Sequence, residues 1–517
     1  MGFGTALSRV TGFLRVAAIA YALGGGAVAG VYAYSSQTPA MLYELLLGGV
    51  LTAALVPLFV RQIEEHDADA TNAVFTVSAL ALLVLTGIGV LVAPWVVDLY
   101  TLRVEGADRV QQTELATSLL RLFMPLVFFY GLVALCTALL NARRRFAAAA
   151  LAPVLNNVVV IALFLALPRL TDEPLTLANV AGDTQLILLL GLGTTAGIAV
   201  VALALVPAVI RAGTHLRFLL SWRHPAVATM VRLSSWTIGY VVANQVALWV
   251  VLVLANGKDG GPFLYLSAYA FFQLPHGLLA VSLMTTIAPE MASAARQNDL
   301  AAVRERLSFG LRMTIFVVLP AAAAFVGLAR PLVVGLLERG AFTAAESAVT
   351  AEAIVAFAIG LVPFSVYLFS LRAFYSFEDT RTPFFLNCFE NAVNIALAVP
   401  LYHWLGIPGL ALSFALAYVA GSVVTLAVLR HRLGRLDGRR LADSAAKVLA
   451  AGAAVGGVTW AIARGLGWES SARALVTTAV GLAAAVLVYL ALVALLRVHE
   501  LSTLRTLLPG GERGHGQ

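Results

Sequence analysis

Residues 72–97 read Asn72-Ala-Val-Phe-Thr-Val-Ser-Ala-Leu-Ala-Leu-Leu-Val-Leu-Thr-Gly-Ile-Gly-Val-Leu-Val-Ala-Pro-Trp-Val-Val97, without one charged side chain. The hydrocarbon core of a bilayer takes about 20 apolar residues in helical form, so this stretch reads as a membrane-spanning helix. Windows of the same kind recur near 4–28, 31–60, 72–97, 113–140, 148–168, 185–210, 226–254, 264–291, 309–328, 347–371, 383–401, 408–429, 443–463 and 473–496, fourteen in all. A transmembrane barrel would show alternating segments of about 10 residues; these runs are longer and continuous. The expected fold class is therefore an all-α polytopic membrane protein of about fourteen transmembrane helices. Composition agrees. Of 517 residues 60% are hydrophobic and 12% charged, and the mean hydropathy is +0.90, whereas soluble proteins carry roughly 25% charged residues. A cytosolic enzyme, a secreted domain and a nucleic-acid binder are excluded together. Cys136 and Cys388 lie in apolar stretches and read as buried thiols, with no metal or disulfide framework.

The loops orient the spans. With the N-terminus in the cytoplasm, the cytoplasmic segments hold Arg61, Arg143, Arg144, Arg145, Arg211, Arg217, Arg223, Arg296, Arg304, Arg306, Arg372, Arg381, Arg430, Arg432, Arg435, Arg439, Arg440, Arg497, Arg505 and Arg513. The opposite loops hold Arg103, Arg109, Arg169, Lys258, Arg330, Arg339 and Arg464. That excess predicts both ends inside, and it accounts for the net charge of +7 without invoking nucleic acid. Arg9 and Arg15 ahead of an apolar run, with Ala27-Val-Ala29 behind it, resemble a cleavable leader. The loop count works with the segment retained as the first span.

An internal repeat emerges from Asn157-Val-Val-Val-Ile161-Ala-Leu and Asn391-Ala-Val-Asn-Ile395-Ala-Leu, 234 residues apart. Nearly the same offset relates Pro125 to Pro363, Pro39 to Pro275, and the turn Asn141–Phe146 to Glu378–Pro383. Spans 1–6 and 7–12 read as a duplicated six-helix unit, with two helices appended. An even number of spans keeps the copies in the same orientation, a parallel pseudo-twofold repeat in which two lobes would face each other across a central cavity. The expected organisation is an N-terminal lobe at 1–215, a C-terminal lobe at 216–432, the last two spans at 433–500 and a cytoplasmic tail at 501–517.

Ionisable and amide side chains at membrane depth cost a few kcal/mol each and normally face a bundle interior or a watery cavity. Here they gather in particular spans. The first carries Arg9 and Arg15. The second carries Tyr43 and Glu44, followed by Gly48 and Gly49. The seventh has Asn244 and Gln245, the eighth Gln273 and His276 around Pro275, and the eleventh Glu390, Asn391 and Asn394. Each has a plainer alternative. Arg9 sits where a side chain snorkels to the interface; Glu44 would serve merely to neutralise Arg15; His276 would satisfy carbonyls freed by Pro275. Asn157 and Asn391 read as interhelical hydrogen-bonding glue. Trp95, Trp222, Trp404 and Trp468 lie near span ends and read as interfacial anchors. Gly24-Gly25-Gly26 is no phosphate loop, for no strand precedes it and no Lys-Ser/Thr follows. Neither a metalloprotease motif nor a nucleophile elbow is present, and no loop is long enough to hold a soluble active site, so no enzyme is expected.

Ser8-Arg9-Val-Thr-Gly-Phe-Leu-Arg15 resembles the opening helix of the MurJ (MviN) family, lipid II flippases of peptidoglycan synthesis. The resemblance continues through Thr38-Pro39-Ala-Met-Leu-Tyr43-Glu44-Leu-Leu-Leu-Gly48-Gly49-Val-Leu-Thr, Val56-Pro57 and Leu151-Ala-Pro-Val-Leu-Asn-Asn157. It returns at Gln273-Leu-Pro-His-Gly-Leu-Leu-Ala-Val-Ser282, Leu371-Arg372-Ala-Phe-Tyr375 and Asp379-Thr-Arg381-Thr-Pro383. The pieces cover most of the first twelve spans, and the Tyr43-Glu44 form and the preference for arginine over lysine are similar to an actinobacterial branch. The likeness implies the architecture of the wider multidrug, oligosaccharide-lipid and polysaccharide (MOP) exporters, which include the MATE transporters. It implies alternating access: the headgroup enters from the cytoplasmic leaflet and leaves outside, the polyprenyl tail lying near spans 13–14. It assigns Arg15 to the pyrophosphate, which a guanidinium pairs bidentately. Arg9, Tyr43, Glu44, Asn244, Gln245, Gln273 and His276 are the other expected headgroup residues. Gly48, Gly49, Pro39, Pro275, Asn157, Asn391, Arg372, Asp379 and Arg381 are expected to gate or support. No cofactor is expected, only coupling to a monovalent cation or the membrane potential. Expected partners are lipid II or a related polyprenyl-pyrophosphate lipid, membrane lipids and cell-wall synthesis proteins, in a bacterial plasma membrane. Where family members carry an aspartate after the first helix, paired arginines in the second and an arginine in the eighth, this chain has Gly30, Tyr43 with Glu44, and Ala270. Those departures leave open another MOP exporter of oligosaccharide lipids or organic cations, and a non-transporting cell-wall scaffold.

Overall fold

The computed structural model of the chain describes residues 2–45, 55–171, 174–214, 216–222, 225, 235–434 and 438–501. Among these residues every regular element is a helix. In lipid that is the expected economy, because a helix satisfies its own backbone and a strand edge does not. Twelve of the described helices are long and apolar enough to cross a membrane, and they coincide with windows three to fourteen. The first window is helical over α1 (Gly2–Leu23). The second begins in α2 (Ala27–Tyr43) and runs into residues outside the described set, Gly48 and Gly49 among them. The sequence expectation of about fourteen spans thus meets twelve by length and composition.

After α2 come α3 (Val56–Glu64), α4 (Ala68–Tyr100), α5 (Ala107–Phe123), α6 (Pro125–Ala142), α7 (Phe146–Leu170), the short α8 (Leu177–Gly182), α9 (Thr184–Arg211) and α10 (Ser235–Ala255). Then follow α11 (Gly261–Pro275), a π segment (His276–Ala280), α12 (Val281–Arg296), α13 (Leu300–Leu336), α14 (Ala344–Ser376), α15 (Arg381–Leu405), α16 (Ile407–Leu433), α17 (Gly438–Leu466) and α18 (Ser471–Leu495). The chain forms two compact units: Met1–Leu266 with Gly340–Thr343, and Ser267–Arg339 with Ala344–Gln517. The division falls one span later than the 215/216 boundary suggested by the repeat. Local bonds explain where α10 belongs. The Asn256 amide, just past α10, donates to the Tyr100 carbonyl at 3.0 Å and to Gln112 Oε1 at 3.2 Å. The 340–343 loop joins the first unit because the Ala341 N–H donates to the Tyr21 carbonyl at 3.0 Å.

The duplication is written in the turns. Left-handed residues stand at Gly24 and Gly260, His66 and Asn298, Gly106 and Gly340, Arg144 and Glu378, each pair 232 to 236 positions apart. The backbone bonds match as well. Asp67 N–H donates to the Gln62 carbonyl as Asp299 N–H does to Ala294, and Arg145 to Leu140 as Asp379 to Phe374. Asp67 and Asp299 then cap α4 and α13, accepting from the Ala70 and Ala302 N–H groups at 2.8 and 2.9 Å. Both proline-bearing partner spans also widen to π geometry beyond Pro39 and Pro275, at Glu44–Leu45 and His276–Ala280. Such bulges relax the helical ladder and often lie at functional segments.

Each unit has its own core. In the first, the Tyr32 ring meets Phe123 and Phe164 edge-on at 5.5 and 5.2 Å, and Tyr34 stacks on Tyr100 at 4.7 Å. In the second, Phe272, Phe357, Phe364, Phe414 and Tyr418 form a continuous aromatic cluster. The appended α17 and α18 pack on α13: Val448, Ala451 and Val455 are fully buried, and Tyr489 Oη donates to the Phe316 carbonyl at 2.6 Å. Burial varies among the spans, from 28% across the apolar window of α4 to 72% across that of α14. The faces left open are leucine and valine (Leu83, Val84, Leu91), with Trp95, Trp222 and Trp404 exposed near helix ends. Lipid covers such faces. The same logic corrects one cysteine: Cys136 is fully buried, but Cys388 is only half-buried, beside Phe385 and Phe389 on the open side of α15.

Candidate functional site

The site is built upward from α1. The Asn157 amide on α7 donates to Thr11 Oγ1 at 3.0 Å and to the Ser8 carbonyl at 3.3 Å, which fixes α1 axially. Small residues let the helices close: a methyl added at Gly4 would sit 3.0 Å from the Ala150 side chain. One turn past Thr11, on the same face, stands Arg15. It is half-buried, and among the described residues it makes no hydrogen bond and no ion pair. Its charge acts on the hydroxyls of Tyr32 (α2) and Tyr130 (α6). Tyr32 Oη pairs with Thr194 Oγ1 of α9 at 2.9 Å. Tyr130 lies 5.5 Å, centroid to centroid, from the half-buried Tyr43. The guanidinium of α1 thus acts on two tyrosines, Tyr32 and Tyr130, with Thr194 and Tyr43 beside them, all within the first unit.

Glu44 does not neutralise Arg15. It is exposed, beside Tyr43, and in no ion pair among the described residues. An arginine at membrane depth without a carboxylate is costly, and such a group finds its partner in water or in an anion. Arg9 is exposed on α1. On α10 both Asn244 and Gln245 are half-buried; Gln245 Oε1 is shielded and accepts nothing among the described residues.

Most of the other sequence candidates lie in the second unit, and several of them are taken up by packing. The Gln273 amide donates to Tyr269 Oη one turn back. His276 is 5% exposed, its Nδ1 bonded to Ser365 Oγ on α14 at 2.9 Å and its ring edge-on to Phe364. That bond ties the π segment to α14. Pro39 is buried inside α2, and Pro275 ends α11. Asn391 donates to the Asn387 carbonyl of its own helix at 2.9 Å, and Asn394 accepts from Ser413 Oγ of α16 at 3.0 Å. Glu390 is 1% exposed and faces the glycine gap at Gly421. Arg372 is exposed and Arg381 lies over the Phe385 ring at 5.8 Å, while Asp379 caps the turn before α15. Sequence reasoning passed over Tyr32 and Tyr130, since nothing in the sequence brings either to Arg15. The signal that finds them is their approach to Arg15, which only the packing supplies.

A family model described as "Lipid II flippase MurJ" matches residues 19–497. A probable lipid II flippase of Rhizobium tropici is 30% identical over 466 residues, covering 89% of this chain and 85% of that protein. A probable lipid II flippase of Vibrio cholerae is 27% identical over 96% of this chain and 94% of its own. Among solved structures, the lipid II flippase MurJ in an inward closed conformation aligns with a TM-score of 0.75 at 20% identity, covering 95% of this chain and 97% of that one. An inward-facing multidrug-resistance MATE transporter of the MOP superfamily aligns at 0.66 and 15% identity, over 84% of this chain and 99% of its own. The likeness to solved structures establishes the fold, and the family model, matched across nearly the whole chain, establishes more. The chain belongs to the MurJ lipid II flippase family.

Proposed function

We propose that this protein is a lipid II flippase of the bacterial plasma membrane, carrying the pyrophosphate-linked headgroup from the cytoplasmic to the outer leaflet by alternating access. The observation that carries the reading is Arg15: a half-buried guanidinium, unpaired among the described residues and set against Tyr32 and Tyr130. A guanidinium keeps its charge at any physiological pH and meets pyrophosphate in a two-pronged geometry. In a partly dry site that pairing is stronger than in water. Tyr43, where family members carry paired arginines, offers a half-buried hydroxyl and ring face to the sugars, with Tyr130 beside it. With fewer cations the grip on the anion is looser, which favours release as much as capture. The protein acts as a carrier, and bond chemistry is left to other enzymes.

The reading extends to energetics and placement. An interior-negative potential drives an anion outward by about 2.3 kcal/mol per charge per 100 mV, enough to bias the cycle; a monovalent cation is the other source of drive. Both termini lie in the cytoplasm, the lobes follow residues 1–215 and 216–432, spans 13–14 (433–500) guide the polyprenyl tail, and 501–517 form a cytoplasmic tail. Cell-wall synthesis proteins are its partners. The test is depletion of the protein followed by measuring which face of the membrane lipid II occupies. Accumulation on the cytoplasmic face is expected, and unchanged sidedness would overturn the proposal.

A further inference from the structure

Duplication allows two copies of one turn to be compared side by side. Before α15 the turn is electrically closed. Asp379 accepts from the Thr382 N–H at 2.9 Å, from Thr382 Oγ1 at 2.6 Å and from the Arg432 guanidinium, which also donates to Thr382 Oγ1 at 2.8 Å. Before α7 the same turn keeps the backbone bonds and the left-handed residue but reads Arg143-Arg144-Arg145. At the offset of 234, Arg145 replaces Asp379 and Ala148 replaces Thr382.

Cations at the C-terminal ends of helices are ordinary, since they complement free carbonyls. That accounts for Arg143, whose Nη2 donates to the Gly213 carbonyl at 3.1 Å. Arg211, in the last turn of α9, has the same use, yet Arg144, Arg145 and Arg211 are all exposed and in no ion pair among the described residues. All three line a cavity of about 820 Å³ at one end of the first unit, with no acidic residue among the described residues of its wall. The rest of the lining is apolar, with Leu140, Phe146 and Leu151 set among alanines. The cavity lies where α1, α6, α7 and α9 end, in the arginine-rich loops that meet the membrane surface.

We propose that this cavity binds the phosphodiester headgroup of an acidic membrane phospholipid, with the glycerol and upper acyl chains on the apolar wall. Three guanidiniums without a carboxylate match a phosphate in charge and geometry. Basic pockets between membrane helices on the cytoplasmic side take such headgroups. The greasy wall distinguishes a lipid from a free anion, which would leave that surface wet. The second copy of the turn has no such use, because Asp379 already neutralises Arg432. The proposal requires only that the chain spans a membrane, so its failure would leave the flippase reading standing: none of these arginines belongs to the Arg15 site.

The test uses the full-length protein in neutral detergent, with binding followed by native mass spectrometry. The probes are phosphatidylglycerol, phosphatidylcholine and glycerol 3-phosphate. Phosphatidylglycerol is expected to bind, and the triple variant R144A/R145A/R211A to weaken it by about tenfold or more, the scale of losing charge-assisted pairs. Equal binding of phosphatidylcholine, equal retention of glycerol 3-phosphate, or an unaffected variant would each overturn the site. Should the variant fail to fold, Ala148→Phe fills the cavity with every arginine kept and is expected to lower phosphatidylglycerol binding. Photoactivatable phosphatidylglycerol on the unaltered protein should mark segments 140–151 and 208–212; adducts confined to other segments would overturn the proposal as well.

Discussion

Arg15 and Asn157 are both polar residues at membrane depth, and they differ in what they touch. Asn157 is satisfied by Ser8 and Thr11, whereas Arg15 makes no bond among the described residues. Their substitutions should therefore separate. Arg15→Ala is expected to abolish support of growth in a depletion strain and weaken lipid II binding roughly 10- to 100-fold, while the melting midpoint holds or rises because a costly charge is gone. Arg15→Lys keeps the charge without the fork and should fall between. Asn157→Leu should lower the midpoint by the worth of its bonds, about 0.6 kcal/mol each in a membrane setting, with binding retained. A stability loss in Arg15→Ala equal to that of Asn157→Leu would make Arg15 a structural residue. Sequence showed both as polar exceptions among apolar neighbours and read Asn157 as interhelical glue, but its partners Ser8 and Thr11, some 146 to 149 positions away, come only from the packing. Gln273 and His276 make the same point from the other side. In sequence they look like cavity residues, yet the partner of His276 is Ser365, 89 positions away, and nothing local marks that bond.

Among the elements, the turns carry the most legible and the least legible features together. The aspartate caps before α4 and α13 follow a familiar pattern, a short polar residue ahead of an apolar run. The left-handed residues at His66, Arg144, Asn298 and Glu378 share no residue type, and arginine and glutamate do not favour that conformation, so the matching geometry was hidden in sequence. Glu378, at φ 58°, is exposed, and Glu378→Gly should stabilise the protein by about 1 kcal/mol through relief of the left-handed strain. Asp379 beside it behaves oppositely. Burial alone would raise its carboxyl, but the hydrogen bonds from Thr382 and Arg432 outweigh burial and hold it below the usual carboxylate range. A depressed carboxyl contributes stability above its unfolded value, near pH 4, and loses it as pH falls through the folded value. Asp379→Asn should then melt earlier than the parent by about 1 kcal/mol at pH 6 to 8, with the gap closing below pH 4. A gap that widened on acidification would contradict the assignment.

For the whole molecule, helix class and span count follow from a constraint with few solutions, since about 20 apolar residues in a row have little else to do than cross a bilayer. The division into compact units was not legible, because it depends on where α10 packs, through Asn256 and its bonds to Tyr100 and Gln112. Orientation rests on charge alone. Arginine and lysine are retained on the cytoplasmic side because moving them across an energised membrane costs work, and short loops obey that bias most closely. Here the turns after Arg61, at Arg143–Arg145 and near Arg296 all lie on one side of the predicted topology, and the turns holding Arg103, Lys258 and Arg339 on the other. The two sets are also the paired turns of the repeat, so both copies must share one orientation or the duplication reading fails with it. A green fluorescent protein fused after residue 501 should therefore fluoresce, and alkaline phosphatase at the same point should stay inactive. Phosphatase inserted at 103–105 or at 257–259 should be active at both sites. Activity at only one of the two would mean that the copies are inverted relative to each other, and activity at the C-terminal fusion would reverse the topology entire.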